Sequence, residues 1–437
     1  MPYGRIVLFH LLAALCSAPL ALAQSTDWDL RHRLEIRASY RDSNHERFRL
    51  AFPFPPVFLP VGQTAGFMET VDPGRHVELN AASLQLDASY GRWFRGRAKI
   101  HAVDKYRRNP TSNDRTSDIE ELFLVIGDMP EFLERPDRTS FFALAGKSPR
   151  MERQPLRLLE SYGLAATSFN RFEDVQVIIG GSIGRNLYWR VQGANGNPLY
   201  FRDANALAGD NGIPELLEPN PDPELKSGFP ILYNAETEDL FFKTDHVQFG
   251  QAIGYRWAND DQSTGFDLIL FHYRRDLADS GELTGTFYGA DLDLLNGPLE
   301  QGLGVPLQGR KKEEFGGRFY GELRGLTAIA QFTKQHLAGL QRQAWEAEAG
   351  YRFAIPTAIV QFVQPAVRYS DLLNRFAGRA AIYPSPSVWW SWQKLDVGIR
   401  IGLARNVDVT IERSMHEVEA PRDLDLDETL ATVRWRL

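Results

Sequence analysis

Apolar and polar residues alternate with a period of two over long stretches of this chain. In residues 431–437, Ala, Val, Trp and Leu fall on one face of an extended strand, and Thr and two Arg fall on the other. A period of two is that of a β-strand. Bulky apolar residues on one side and cations on the other are typical of an outer-membrane barrel strand, which touches lipid and a wet lumen. For this segment alone, an edge strand of a soluble sheet is the alternative.

The same pattern recurs along the whole chain and predicts sixteen strands. They are 28–41, 77–91, 93–107, 117–128, 139–147, 172–184, 186–195, 243–258, 264–275, 313–325, 327–336, 344–354, 358–370, 388–403, 407–418 and 427–437. Most of them reach the length of about 9–11 residues that a tilted strand needs to cross a bilayer.

The connections between these strands follow a rhythm. Short turns take every second place, at 91–92, 184–185, 259–263, 325–326, 355–357 and 404–406, with 129–138 as a longer exception. The long connections are 42–76, 148–171, 196–242, 276–312 and 371–387. Short periplasmic turns and long external loops are the rule in outer-membrane barrels. The sequence therefore predicts an all-β, transmembrane, antiparallel up-and-down barrel of about 16 strands. Counts of 18 or 14 stay open, because the 117–147 region is weakly patterned.

The N-terminus has the features of a secretory signal. Arg5 precedes the apolar run 6–16, and Ala21-Leu22-Ala23 forms a small-x-small cleavage site. We predict a signal peptide at 1–23 and a single barrel domain at 24–437, in the outer membrane of a Gram-negative cell. Cys16 is the only cysteine, so the mature chain has no disulfide and no thiolate site. No later stretch reaches the roughly 18 apolar residues of a transmembrane helix.

Net charge is −7, yet alternation assigns many cations to the inside of the barrel. Rings of Arg and Lys in a pore select for anions, and Arg binds carboxylate or phosphate through two parallel hydrogen bonds. Pairing of these cations with inward glutamates is the alternative. The candidate pore-lining residues are Arg31, Arg33, Arg37, Arg95, Arg97, Lys99, Arg190, Arg318, Arg352, Arg400, Arg434 and Arg436.

Much of the excess acid lies in segment 196–242. This loop either folds over the barrel and neutralises lumen arginines, which would gate the pore, or stays solvated at the outer surface. The sequence contains no G-x-S-x-G motif and no C-x-x-C-H haem site, and its histidines have no metal-site spacing. We therefore expect no enzyme activity, no cofactor and no metal site, and we expect no nucleic-acid partner for an exported barrel.

The segment 141–177 carries a more specific sequence signal than the alternation. The segment 141–147 (FFALAGK) leads into Ser148-Pro149-Arg150, a loop with Arg157-Leu158-Leu159 follows, and 169–177 (FNRFEDVQV) begins the next strand. This layout resembles the bacterial alginate-export family of outer-membrane proteins, in which a strand ends in Gly-Arg-Gln and Arg-x-Phe-Asp precedes the next strand. Here Gly146-Lys147-Ser148 and the sequence RFED at 171–174 stand at those places. Lys147 keeps a cation but lacks the two-pronged guanidinium.

The resemblance implies a single-chain barrel whose arginine-rich pore passes an anionic polysaccharide outward, with loops controlling access. Our leading hypothesis is an outer-membrane channel for anionic solutes, with export of an acidic polysaccharide such as alginate as its most specific form. The alternatives are a porin for uptake of small anions or oligosaccharides, and an outer-membrane enzyme or adhesin that acts through external loops. Expected partners are the lipid membrane, the anionic solute, and periplasmic export or assembly proteins.

Overall fold

A computed structural model describes residues 28–43, 48–50, 66–68, 74–102, 117–130, 132, 139–169, 173–194, 247–261, 263–276, 311–337, 340–375, 391–404, 406–419 and 423–437. The predicted signal peptide and its cleavage site lie outside these residues and stay predictions. The acidic segment 196–242 also lies outside them.

The described chain forms a closed antiparallel barrel of sixteen strands, as predicted. In chain order the strands β1–β16 are Trp28–Ser43, Gly74–Tyr90, Phe94–Ala102, Ser117–Gly127, Ser140–Pro149, Glu173–Ile183, Leu187–Ala194, Gln248–Ala258, Thr264–Asp276, Lys311–Leu323, Leu326–Leu337, Leu340–Tyr351, Val360–Arg375, Ser391–Leu403, Val407–Glu419 and Asp423–Arg436. Smaller pieces are the pair Phe48–Leu50 and Gly66–Met68, the strand Phe353–Ala354 beside β13, and a helix α1, Leu164–Ser168.

The last strand closes the barrel against the first. Strand β16 pairs with β1 so that Trp435 lies opposite Ile36, and the backbone groups of Leu437 and Leu34 exchange two hydrogen bonds of 3.0 and 2.9 Å. The alternation of the C-terminal segment is thus that of a closing strand, and not of a free edge.

The outer face of the barrel is apolar, and the inner face is polar over most of its circumference. Val433 and Trp435 are 49% and 39% exposed, whereas Thr432, the residue before Val433, is buried. The same holds on β8 and β9. Phe249 and Leu270 face outward and are exposed, whereas Arg256 and Asp267 on the same strands face inward and are buried. An apolar exterior of this kind requires a membrane around it.

Two features of the strand prediction are corrected. Arg324, which alternation assigns to the inner face, lies in the turn between β10 and β11 with φ of 47°. Strand β12 starts at Leu340, four residues before the predicted start, and ends at Tyr351. The short turns at 91 and 184 contain glycines with φ of 52° and 64°, a left-handed conformation that favours glycine.

The connection between β5 and β6 is the main departure from the expected barrel. Its described residues, 150–169, do not form an external loop but run through the lumen, and we refer to them as the inner loop. Backbone N–H groups of Leu158 and Leu159 donate to the Glu348 carboxylate on β12 at 2.8 and 3.0 Å. Those of Glu160 and Ser161 donate to the Glu412 carboxylate on β15 at 2.8 and 2.7 Å. The loop is therefore attached to the wall opposite its own strands.

Further contacts secure the returning half of the inner loop. Arg368 donates to the carbonyl of Ser161 at 2.9 Å, and Lys394 to that of Tyr162 at 2.7 Å. Arg342 donates to the carbonyl of Ser168, the last residue of α1, at 2.7 Å. The C-terminal end of α1 therefore faces a cation. Such hydrogen bonds to charged groups are about twice as strong as neutral ones. Among the described residues, no helix is long and apolar enough to cross a bilayer.

Candidate functional site

The lumen contains two adjoining cavities beside the inner loop. The first, which we call the mouth cavity, has a volume of about 450 Å³ and lies at the end of the barrel that carries the short turns. The second, which we call the chamber, has a volume of about 590 Å³ and is bounded by the inner loop. Arg95, Arg97 and Met129 line both cavities, so they adjoin.

Cations dominate the lining of the chamber. Nine lysine or arginine side chains line it against two carboxylates, those of Glu121 and Asp267. The cations are Arg95, Arg97, Lys99, Arg150, Arg153, Arg157, Arg190, Arg256 and Arg318. How each cation is paired decides whether this surplus acts on a solute.

Three of the cations on the β3 side of the chamber are neutralised. Arg97 pairs with Asp87 at 2.6 Å and with Glu121 at 3.4 Å. Lys99 pairs with Glu120 at 2.7 Å. Arg153, from the inner loop, contacts the same two glutamates and also forms an ion pair with Glu173. Three cations thus share four carboxylates, so this group carries no surplus of positive charge.

The cations on the opposite side surround Tyr188 and carry a surplus. The guanidinium of Arg256 lies 4.4 Å from the ring centroid of Tyr188, and that of Arg190 lies 5.3 Å from it. The Tyr188 hydroxyl donates to Asp267 at 2.9 Å, and Asp267 also forms ion pairs with Arg256 and Arg318. Arg256 and Arg318 thus share one carboxylate, and Arg190 adds a third guanidinium, so the cluster carries a surplus of positive charge. We call these five residues the tyrosine cluster.

Arg190 is the member of the tyrosine cluster with the weakest charge compensation. Its guanidinium donates to the backbone carbonyl of Met151 at 2.9 Å and faces the Tyr188 ring. Among the described residues, no carboxylate pairs with it. A guanidinium that faces a cavity with a carbonyl and a ring as its neighbours is available to an anion.

A glycine makes this geometry possible. Gly254 on β8 lies opposite Tyr188 on β7, and a side chain at that position would run into the phenol ring. Because Gly254 has no Cβ, the ring lies flat against the wall and presents its face to the two guanidiniums. The cation–π contact and the hydroxyl bond then hold the ring from both ends.

The inner loop is anchored by a separate group of arginines. Glu160 forms an ion pair with Arg434, and Arg400 and Arg37 lie 3.5 and 3.8 Å from its carboxylate. Burial alone raises the pKa of the Glu160 carboxyl, but Arg434, Arg37 and Arg400 outweigh burial and hold that pKa at about 2. These arginines join the loop to β14, β16 and β1.

The predicted pore-lining residues therefore fall into distinct groups. The chamber is lined by Arg95, Arg97, Lys99, Arg190 and Arg318. The mouth cavity is lined by Arg31 and Arg33, together with Arg95 and Arg97. The group around Glu160 is Arg37, Arg400 and Arg434. Arg436 pairs with Glu35 and Asp408, and Arg352 lies 3.8 Å from the ring centroid of Phe362. Contact of any of them with a solute stays a prediction.

Sequence reasoning missed several residues of the chamber. Arg150, Arg153 and Arg157 come from a loop that was expected outside the barrel. The available signal was composition, because 156–164 contains four leucines that a solvated loop has no reason to carry. Tyr188 and Asp267 were not singled out either.

A closed antiparallel barrel of sixteen strands with an apolar exterior is the fold of outer-membrane β-barrel proteins. Solved structures with a similar fold include the following two. OprB of Pseudomonas putida has a TM-score of 0.55 at 8% identity, over 97% of this chain and 97% of that chain. The outer-membrane channel DcaP of Acinetobacter baumannii has a TM-score of 0.51 at 8% identity, over 95% and 99%. At this identity the likeness shows the fold alone. No protein-family model and no curated protein sequence matches the chain.

Proposed function

We propose that this protein is an outer-membrane channel that passes small anionic solutes through the chamber. The observation that carries the proposal is the uncompensated positive charge of the tyrosine cluster at the wall of the chamber. Such charge on the wall of a pore attracts anions and repels cations.

The two adjoining cavities give the solute a route. The mouth cavity is lined by Arg31, Arg33 and Arg92 against Asp29 and Asp87. Arg31 pairs with Asp29 at 2.6 Å, while Arg33 is exposed and has no carboxylate partner within the described part of the chain. An anion that enters here passes Arg95 and Arg97 into the chamber. Several weak cationic sites in series allow passage without trapping.

Export of an acidic polysaccharide such as alginate is the second candidate. The resemblance of segment 141–177 to the alginate-export family favours it, as does the series of arginines at the mouth. Lys147 does not support a role in the lumen, because it lies opposite outward-facing Leu122 on β4. A polymer also needs a wider path, so export requires that the inner loop leave the wall, where five backbone N–H groups hold it on carboxylates.

An enzyme or adhesin acting through external loops is the third candidate. The longest of these loops, 196–242, lies outside the described residues, and the contacts of the chamber favour neither role. We therefore rank transport first.

The zero-current potential of the purified protein in a planar bilayer under a KCl gradient tests the proposal. We expect anion preference in the wild type, and a reduced preference in Arg190→Gln and Arg318→Gln. Arg413→Gln is the matched control, because Arg413 is exposed and pairs with Asp427 on the neighbouring strand. Cation preference in the wild type would refute the proposal. A block by oligouronate that exceeds the block by small carboxylates would favour polysaccharide export over small-anion passage.

A further inference from the structure

We infer that the chamber binds a small carboxylate that carries an apolar body, with the carboxylate at Arg190 and the body on the inner face of β5 and β6. This inference rests on the proposed function and names the class of solute. It follows from a feature that a simple aqueous pore does not need, namely an apolar wall beside the cations.

The inner face of β4–β6 carries an apolar patch. Phe123 and Val125 on β4, Phe142 and Leu144 on β5, and Ile178 on β6 all point into the barrel and are at least nine-tenths buried. Much of the inner face elsewhere carries charged and amide side chains, such as Gln331 and Arg318, although Ile269 and Phe271 on β9 continue the apolar cluster. The small exposed parts of Phe142, Leu144 and Ile178 line the chamber, so a solute there contacts them.

This apolar wall adjoins Arg190. In the sheet register, Phe142 lies opposite Gly180, and Gly180 lies opposite Arg190, so the three form one row across β5, β6 and β7. A Cβ on Gly180 would lie 2.8 Å from Cζ of Phe142, which places the Phe142 ring over the glycine and toward Arg190. The cation and the ring are therefore neighbours on one surface.

The next row extends the apolar wall. Leu144 lies opposite Ile178, and Ile178 lies opposite Gln192. Leu144 and Ile178 offer no hydrogen bonds. A solute covered in hydroxyl groups would leave some of them unpaired against this surface, at a cost in free energy. An aromatic ring or a short aliphatic chain would gain instead, by removing apolar surface from water.

The arrangement therefore selects for an amphipathic solute. A carboxylate accepts two hydrogen bonds from a guanidinium, and the Tyr188 ring keeps the Arg190 guanidinium at the wall. The volume of about 590 Å³ admits a solute of benzoate size together with water. A short carboxylate such as acetate would use the cation alone, and a neutral amide such as benzamide would use the wall alone.

Isothermal titration of the detergent-solubilised protein with benzoate, acetate and benzamide tests this inference. We expect benzoate to bind about tenfold or more tightly than either of the other two, as burial of a phenyl group and a charge-assisted contact each predict. Equal affinity for acetate and benzoate would overturn the apolar part of the inference. Equal affinity for benzamide and benzoate would overturn the role of the cation.

Two variants separate the two halves of the site. Arg190→Gln should lower the affinity for benzoate about 10- to 100-fold, as expected for loss of a charge-assisted contact. The affinity for benzoate should then be close to that for benzamide. Ile178→Ser should weaken benzoate and leave acetate unchanged. Arg413→Gln on the outer surface should alter neither. Retention of the circular dichroism of the barrel shows that each variant is folded. Unchanged benzoate affinity in Arg190→Gln would overturn the assignment of the carboxylate site.

The same ligands distinguish failure of this inference from failure of the proposed function. Anion preference in the bilayer without a preference for benzoate in titration would leave the channel in place and refute the amphipathic site. Preference for benzoate in titration with cation preference in the bilayer would leave the site in place and refute the anion channel.

Discussion

Removing two carboxylates of the wall should release the tip of the inner loop. In the double variant Glu348→Ala and Glu412→Ala, the N–H groups of residues 158–161 lose their acceptors, which lie at 2.7–3.0 Å. Hydrogen bonds to charged groups contribute about 1.5–3 kcal/mol each, so four of them amount to about 6–12 kcal/mol. A loss of this size exceeds the stability of most local structure.

The other half of the inner loop should stay in place. Glu346 still accepts from the N–H of Ala165 at 3.1 Å, and Arg342 still donates to the carbonyl of Ser168. Residues 158–161 therefore lose their backbone attachment to β12 and β15, while α1 remains attached. The tip is left on the ion pairs of Glu160 and on the contact of Arg368 with the Ser161 carbonyl, so it opens more often and single-channel conductance should rise.

Hydrogen exchange of the backbone amides of residues 158–161 measures the release directly. In the wild type these amides are bonded to carboxylates and should exchange slowly. In the double variant they should exchange faster by a factor of about 10⁴ or more, the equivalent of the lower limit of 6 kcal/mol. Glu313→Ala is the control, because that side chain is exposed on the outer face beside His272. Unchanged exchange in the double variant would refute the reasoning.

Two further predictions follow from the loop anchor and the tyrosine cluster. Glu160 has a folded-state pKa of about 2 against an ordinary value of 4.5, so its contribution to docking is present above pH 4.5 and is lost as pH falls toward 2. Conductance should therefore change as pH falls from about 4.5 toward 2, and an unchanged conductance over that range would contradict the assigned anchor. Gly254→Val should displace the Tyr188 ring and cost about 1–3 kcal/mol of stability through overpacking, with reduced anion preference in the bilayer. Gly193→Ala is its control, since a Cβ there meets only Val247 at 3.9 Å, and equal behaviour of the two variants would contradict the role of Gly254.

The strands were predictable because alternation is a local property. Wherever one face of a strand meets lipid and the other meets charged groups, as in β8 and β16, the sequence displays the period directly. In β4 the signal fails, because Phe123 and Val125 face inward while Leu122 and Leu124 face outward. Both faces are apolar there, which explains the weak pattern of the 117–147 region. The sequence pattern also gives no sign of a role for Asp267, because this residue stands within the largely apolar run 265–271 of β9.

The inner loop and the charge balance of the lumen were not predictable from the pattern. The partners of residues 158–161 are more than 180 positions away along the chain, so no local spacing reveals them. Alternation also shows which cations face inward but not which acids reach them. It singled out Arg95, Arg97 and Lys99, of which Arg97 and Lys99 are matched by carboxylates, and gave no special weight to Arg190, which is not.

The central claim is that anions travel through the chamber, and cysteine modification tests it most directly. Ala166 lines the chamber, and the chain downstream of the predicted signal peptide has no cysteine, so Ala166→Cys supplies a single thiol. We predict that an anionic methanethiosulfonate reagent modifies this thiol faster than a cationic reagent of similar size and lowers the channel current. Ala98→Cys, on the lipid-facing side of β3 among Leu86 and Leu124, should react with neither. Faster modification of Ala166→Cys by the cationic reagent, or modification without any change in current, would contradict the account.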